Sequence, residues 1–228
     1  MLKVNNLCVQ AGDHPILQGV SFEILPGELI VLTGENGSGK STLCSVLSGG
    51  GELSVTADEM TFQNKDLQNM LSNERALQGL FVSSQEPVVI AGLSWRVFLQ
   101  AALQERQKSL GEEPLEVSEI NTKLEKLIEL VRMPSETLDR GINEGHSGGE
   151  KKRMEMLQWL LFAPKLSVLD ELDAGLDQTA KKQLAELIGK AKNSERSILV
   201  VSHDAAWADS LQADQKWTMQ GGKLKKQA

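Results

Sequence analysis

The chain has 228 residues, of which 40% are hydrophobic, enough to bury one α/β core with a small insertion. Its formal net charge of −7 repels a phosphate backbone, and its dense basic clusters are Lys151-Lys152-Arg153 and Lys223-Leu224-Lys225-Lys226, so nucleic acid is not expected as the main partner. No run approaches the roughly 18 consecutive apolar residues of a membrane span, and Met1-Leu2-Lys3-Val4 does not read as a signal peptide, so a cytoplasmic protein without direct membrane insertion is expected.

Residues Leu2 to Val9 and Gln18 to Ile24 read as strands, the second alternating Val20, Phe22 and Ile24. Pro26-Gly27-Glu28 turns the chain into the apolar strand Leu29 to Thr33, and a helix-prone run follows from Ser41 to Leu47. Glu52 to Gln63 reads as further strand with a turn at Asn64-Lys65-Asp66, and Gly79 to Ser84 as a buried strand. This mix suggests an antiparallel β layer packed on a parallel core. From Gly92 to about Glu144 the pattern is helical. Ser94 caps a helix through Gln107, and Ile120, Leu124, Leu127, Ile128 and Val131 line one face of another, closed by Met133-Pro134. Residues 88–147 are read as an inserted helical subdomain, with 1–87 and 148–228 forming the α/β core of a single domain over 1–228.

Ser147-Gly148-Gly149-Glu150 has the capping-box form S-x-x-E and opens a helix that stops at Ala163-Pro164. Leu166 to Leu169 is a short apolar strand ending in Asp170-Glu171, a helix covers about Ala180 to Ala191, and Ser197 to Ser202 is a strand ending at His203. Trp217 to Met219 reads as a last strand before a frayed end. Cys8 falls in the first strand and Cys44 in the helix after residue 40. They lack metal-ligand spacing and read as core residues that cannot supply a four-thiolate cluster site.

Between strand Leu29–Thr33 and the next helix lies Gly34-Glu35-Asn36-Gly37-Ser38-Gly39-Lys40-Ser41, followed by Thr42. This is G-x-x-x-x-G-K-[ST] in a strand-loop-helix context, a phosphate-binding P-loop. Glycines let successive backbone N–H groups turn inward around a polyphosphate, and the helix start presents its positive dipole end to the same anion. Lys40 is expected on the β- and γ-phosphates and the Ser41 hydroxyl on Mg²⁺. In an open parallel sheet, ligands sit beyond the carboxyl ends of the strands. Asp170 is placed there to hold Mg²⁺ with Ser41, Glu171 to orient and polarise the attacking water, His203 to reach the γ-phosphate or that water, and Gln85 to touch Mg²⁺ or its water.

With these motifs the chain resembles the ATP-binding-cassette (ABC) ATPases. The resemblance rests on Gly34 to Ser41, Gln85, the signature Ser147 to Glu150, Asp170-Glu171, the D-loop Ala174-Gly175-Leu176-Asp177 and the switch histidine His203, in the family's order across nearly the whole chain. It implies a P-loop NTPase fold with a RecA-like parallel core, an antiparallel β subdomain and an inserted helical subdomain. It also implies ATP hydrolysis with Mg²⁺ in a head-to-tail homodimer, where Ser147, Gly148, Gly149 and Glu150 of one copy complete the ATP site of the other and Asp177 couples the two. The family usually has glutamine where this chain has Glu150, and His146 replaces a common leucine or phenylalanine. Ala11 falls near a position that often carries an adenine-stacking aromatic.

Ser147 to Arg153, Leu169 to Asp177 and Gln85-Glu86-Pro87-x-x-Ile90-x-Gly92 further resemble the SufC family, the ATPase subunits of SUF-type iron–sulfur cluster assembly systems. This implies SufB-like and SufD-like scaffold partners rather than transmembrane domains. The helix from Ser147 feeds back toward Glu171, so Lys152 or Lys151 can pair with Glu171 as a resting-state latch, the alternative being that these lysines form a solvated face. The alternative within the same chemistry is the nucleotide-binding subunit of a membrane transporter. A DNA-maintenance clamp is disfavoured by the acidic balance and the lack of long heptad repeats.

Overall fold

A computed structural model describes residues 1–51, 53–83 and 88–227. The chain forms two compact units, Met1–Ser83 with Pro164–Ala228 and Ser84–Ala163. The first unit opens with β1 (Leu2–Ala11), β2 (His14–Ile24), β3 (Leu29–Thr33) and α1 (Lys40–Ser48). It continues through β4 (Ser54–Thr56), β5 (Glu59–Phe62), β6 (Lys65–Asp66), α2 (Ser72–Leu77) and β7 (Leu80–Val82). The second unit holds β8 (Ile90–Ser94), α3 (Trp95–Ser109), α4 (Val117–Leu130), a 3₁₀ turn (Ser135–Asp139), β9 (Gly141–Ile142) and α5 (Gly148–Phe162). The chain then returns to the first unit with β10 (Leu166–Asp170), α6 (Gln178–Ala191), β11 (Ser197–Val201), α7 (Ala205–Ser210), β12 (Gln215–Gln220) and β13 (Lys223–Lys226).

The first unit contains two sheets. An antiparallel layer runs β2-β1-β5-β6, with β4 also on β1. Along β1 the buried side chains shift from Leu2 and Val4 to Leu7 and Val9. One extra residue between Val4 and Leu7, opposite Phe22 and Val20, makes this shift. Asn6 lies in that interval with φ 50°, and its N–H donates to Ser21 Oγ at 2.9 Å. The bulge keeps both halves of the strand facing one core.

The other sheet runs β13-β12-β3-β11-β10-β7. From β12 through β7 every neighbouring pair is parallel, and β10 and β11 are buried at every position. Continuous apolar runs such as Ile198-Leu199-Val200-Val201 suit strands covered on both faces. Trp217 of β12 and Phe22 of β2 join the layers, their rings 5.2 Å apart. In place of the expected frayed end, β13 pairs antiparallel with β12 across Gly221 and Gly222, both with positive φ, the two-residue turn that matches strand twist.

In the second unit, Ser94 Oγ accepts from Val97 N–H as the cap of α3, and Ile120, Leu124 and Ile128 form the buried face of α4. That unit extends to Ala163, so α5 belongs with it rather than with the α/β core as the 147/148 boundary assumed. Packing of α5 on α4 and the bond from Arg153 Nη1 to Val131 O at 2.9 Å account for the shift.

Candidate active site

The P-loop is shaped by close approach. At Gly34 (φ 152°) an added Cβ would collide with the Met219 carbonyl oxygen and lie 2.9 Å from Ser38 Oγ. At Gly39 (φ 108°) it would lie 2.6 Å from Leu17 Cδ2. The turn of the β12–β13 hairpin supports the loop from outside, with Gly222 N–H donating to Ser38 O at 3.0 Å. Gly39 caps α1 without a side-chain hydrogen bond, and no acidic residue occupies the first turn. The first N–H groups of α1 are thus presented with their positive dipole uncompensated by a cap. Lys40 is buried, and its Nζ donates to Gly34 O at 2.8 Å and Glu35 O at 3.0 Å, spanning the loop. Ser38 Oγ is buried with no hydrogen-bond partner among the described residues, a polar group that a ligand would satisfy. Glu35, Asn36 and Gly37 form the exposed rim, and Ser41 and Thr42 are half-buried.

Parallel pairing of β3, β11 and β10 brings three strand ends to one edge of the sheet. β3 carries the P-loop, β10 ends in Asp170, and β11 leads to His203. Asp170 is buried, and its N–H donates to Ser83 Oγ at 2.6 Å. Glu171 turns away from the strand with φ 50°, its N–H donating to Val201 O at 2.9 Å. This crossing aims Glu171 at the loop after β11, where its Oε1 lies 3.6 Å from His203 Nδ1. The pair remains open to a reactant, with side-chain exposures of 27% for Glu171 and 53% for His203.

A divalent cation would find oxygen donors here. Cys44 follows Ser41 by three residues on α1, hence on the same helix face, and α1 packs against β10 with the Cys44 thiol near the Asp170 carboxylate. Burial, reinforced by the Asp170 charge, pushes that thiol well above its usual range, so it stays protonated. The face of α1 that carries Ser41 thus lies against the end of β10. A hydroxyl and a carboxylate are hard oxygen donors that fit Mg²⁺.

The D-loop ends at Asp177, exposed, whose Oδ1 accepts from Ala180 N–H at 2.8 Å and caps α6. In the second unit the capping box read from the sequence is formed. Ser147 N–H donates to Glu150 Oε2 at 2.8 Å, and Glu150 N–H to Ser147 Oγ at 3.3 Å. These Ser147 bonds, with Arg140 adding its charge, hold the Glu150 carboxyl below its ordinary range. Gly148 and Gly149 have open space where a Cβ would stand.

Gln85 lies outside the described residues. Of the residues named for the latch, Lys152 has its Nζ 3.8 Å from Glu155 Oε2, and Glu171 has its Oε1 3.6 Å from His203 Nδ1. Ala11 is the exposed end of β1, opposite His14. Two residues escape the motif reading. Ser83 holds the Asp170 backbone, a role set by the pairing of β7 with β10. Arg75 is buried. Its Nη1 donates to Val46 O at 2.6 Å and Leu47 O at 2.9 Å, and its Nη2 to Leu67 O, so it caps the carbonyl end of α1.

Residues 17–174 match the sequence model of the ABC transporter family. The chain is 38% identical over 226 residues to the probable ATP-dependent transporter SufC of Escherichia coli, covering 99% of this chain and 91% of that protein. It is 38% identical over 213 residues to the iron–sulfur cluster assembly protein SufC of Plasmodium falciparum, covering 93% of this chain and 61% of that one. A solved ATP-binding subunit of an ABC transporter superposes with a TM-score of 0.82 over 100% of this chain and 90% of its own, at 23% identity. The chain belongs to the ABC family as an ATP-hydrolysing member, and it resembles the SufC proteins within that family.

Proposed function

We propose that this chain is the ATPase subunit of a SUF-type iron–sulfur cluster assembly complex, with SufB-like and SufD-like scaffold partners in the cytoplasm. The observation that carries the hydrolytic part is the Glu171–His203 pair, which follows the paired strands β10 and β11, the second of them next to the P-loop strand β3. The assembly role is supported by the SufC relatives, aligned over nearly the whole chain.

In this reading the P-loop N–H groups and the start of α1 bind the phosphates of ATP. Lys40 exchanges its bonds to Gly34 O and Glu35 O for the β- and γ-phosphate oxygens. Ser41 and Asp170, with Gln85, would hold Mg²⁺, whose chemistry here would be to offset negative charge at the phosphates. Glu171 accepts a hydrogen bond from a water and orients its oxygen in line with the γ-phosphorus. As that oxygen bonds to phosphorus, its proton passes to the Glu171 carboxylate and the bond to the β–γ bridging oxygen breaks, leaving ADP and inorganic phosphate. His203 donates to a γ-phosphate oxygen and fixes the direction of attack. Ser147 to Glu150 of a second copy close over the same phosphates, and Asp177 meets that copy's loop. ATP thus favours a head-to-tail dimer, whose closure moves the scaffold.

Glu171→Gln is expected to keep ATP binding and lose multiple turnover by about a thousandfold or more, the scale of a lost general base. Normal turnover by that variant would remove Glu171 from its role. The assembly reading is tested by affinity capture from soluble and membrane extracts. SufB- or SufD-like proteins in the soluble fraction support it, whereas capture of an integral membrane protein alone assigns the chain to a transporter.

A further inference from the structure

His203 is flanked by Ser202 and Asp204, and both side chains are tied to the loop that carries Glu171 or to the helix that follows it. Ser202 is fully buried. Its Oγ donates to Asp173 Oδ2 at 2.9 Å and accepts from Asp204 N–H at 3.0 Å. Its own N–H donates to Leu32 O at 3.1 Å, anchoring it to the P-loop strand. Asp173, two residues past Glu171, is 1% exposed. Lys181 of α6 donates from Nζ to Asp204 Oδ2 at 2.6 Å and lies 3.9 Å from Asp173 Oδ2. The position of this lysine is itself determined, because its N–H donates to Asp177 O at 2.9 Å and its carbonyl accepts from Trp207 Nε1 at 3.0 Å. Asp204 Oδ1 accepts from Trp207 N–H at 3.0 Å.

The arrangement links the D-loop to the switch histidine on one side of the site. A helix turn joins Asp177 to Lys181, a charge-assisted bond joins Lys181 to Asp204, and Asp204 is the neighbour of His203. Asp173 and Ser202 form the second strut, between the neighbours of Glu171 and His203. Charge-assisted bonds of this length are among the stronger polar contacts, and a half-buried network has little water to replace them. We infer that Lys181, acting with Asp173, Ser202 and Asp204, is a positioning residue for ATP hydrolysis: it holds the Glu171 loop and the His203 loop at one spacing, so that carboxylate and imidazole meet the same phosphate and water. The inference rests on the roles proposed above for Glu171 and His203. It adds that displacement of the D-loop at Asp177 moves His203 through Lys181.

The test compares kcat and KM for ATP in Lys181→Met, Lys181→Arg, His203→Ala and the double variant Lys181→Met/His203→Ala of the full chain. Misplacing a reacting group lowers turnover without changing ground-state binding. Lys181→Met should therefore lose about tenfold in kcat, with KM within about twofold of the parent, and Lys181→Arg should recover most of it. Since the brace sets His203 against Glu171, there is no spacing left for it to set once the imidazole is removed, and the double variant should be no slower than His203→Ala alone. A lysine serving only to stabilise the fold would instead give multiplying losses. If Lys181→Met does not fold, Asp204→Asn keeps an oxygen for the Trp207 N–H and removes the charge partner, with the same readout. Full kcat in these variants, or multiplying losses, with His203→Ala itself impaired, overturns the brace alone. Normal turnover by His203→Ala overturns the role of His203 and the brace with it.

Discussion

Two helices, α1 and α5, start at residues expected to meet phosphate, and they are finished in opposite ways. α1 begins behind Gly39 with no side-chain cap and no acidic residue in its first turn. α5 begins with Ser147 and Glu150 bonded to each other's N–H groups, and Glu150 lies 3.6 Å from Arg140. The first terminus leaves its N–H groups to a ligand. The second satisfies itself and carries a negative charge that would repel an approaching phosphate. A terminus of the first kind is suited to hold nucleotide unaided, whereas one of the second kind engages only when contacts elsewhere outweigh its own cap.

The contrast can be broken most severely at the bare end. Gly34→Ala forces a Cβ onto the Met219 carbonyl oxygen in a left-handed conformation. The expected loss is about 3 kcal/mol of stability in urea denaturation, the scale of steric strain at a special backbone position, with nucleotide binding lost alongside. Retained binding would show that the bare terminus is not what holds phosphate. Arg75→Met removes the cap from the opposite end of α1 and strands buried carbonyls, costing about 2–3 kcal/mol in the same measurement. Ser147→Ala strips the capped terminus and should cost about 1 kcal/mol, with faster amide exchange at Glu150.

Glu150→Gln keeps the reciprocal cap, and stability should change by less than about 0.5 kcal/mol. Its effect belongs to function, a KM for ATP lowered a few-fold as charge repulsion disappears, on the order of 1 kcal/mol. An unchanged KM would mean that the charge of Glu150 never meets the nucleotide. The pH response sharpens the comparison further. Because bonds from Ser147 depress the Glu150 carboxyl, the cap contributes stability above the unfolded-state pKa. That contribution is lost as pH falls through the lower native value. The Ser147 amide signal should titrate below the ordinary glutamate range, while the amides of Lys40 and Ser41 show no such midpoint.

What could be read from the chain depended on how local each cause is. The P-loop was legible because glycine spacing, strand and helix lie within about a dozen residues of sequence. Ser147-x-x-Glu150 announced its helix for the same reason, a cap being fixed by its next three residues. Ser83 gave no local signal, since it reaches Asp170 only through pairing of strands 87 residues apart. Arg75 sits in Ser72-Asn73-Glu74-Arg75, which reads as a solvated helix face, and is buried because the far end of α1 needs donors. The β8–β9 pair joins Ile90 to Ile142, beyond the reach of pattern. The final hairpin, by contrast, carried a signal in Gly221-Gly222 that supports two strands rather than a frayed end. The Lys181 network was hidden because Lys181 and Asp204 read as ordinary surface charges until α6 and α7 are packed.

Glu171 sits with φ 50° while its N–H is spent on Val201 O. The position therefore screens substitutions by backbone before chemistry is tested. Valine, isoleucine and threonine are penalised for their branched Cβ whatever their side chains could do. Asparagine, aspartate and glycine fit the backbone but shorten or remove the reach toward His203. Glutamine keeps the length and a polar tip on an unbranched Cβ, so a library at this codon would return folded variants less diverse than one at Ala174, three residues on, and the folded survivors would still divide by whether a carboxylate is present.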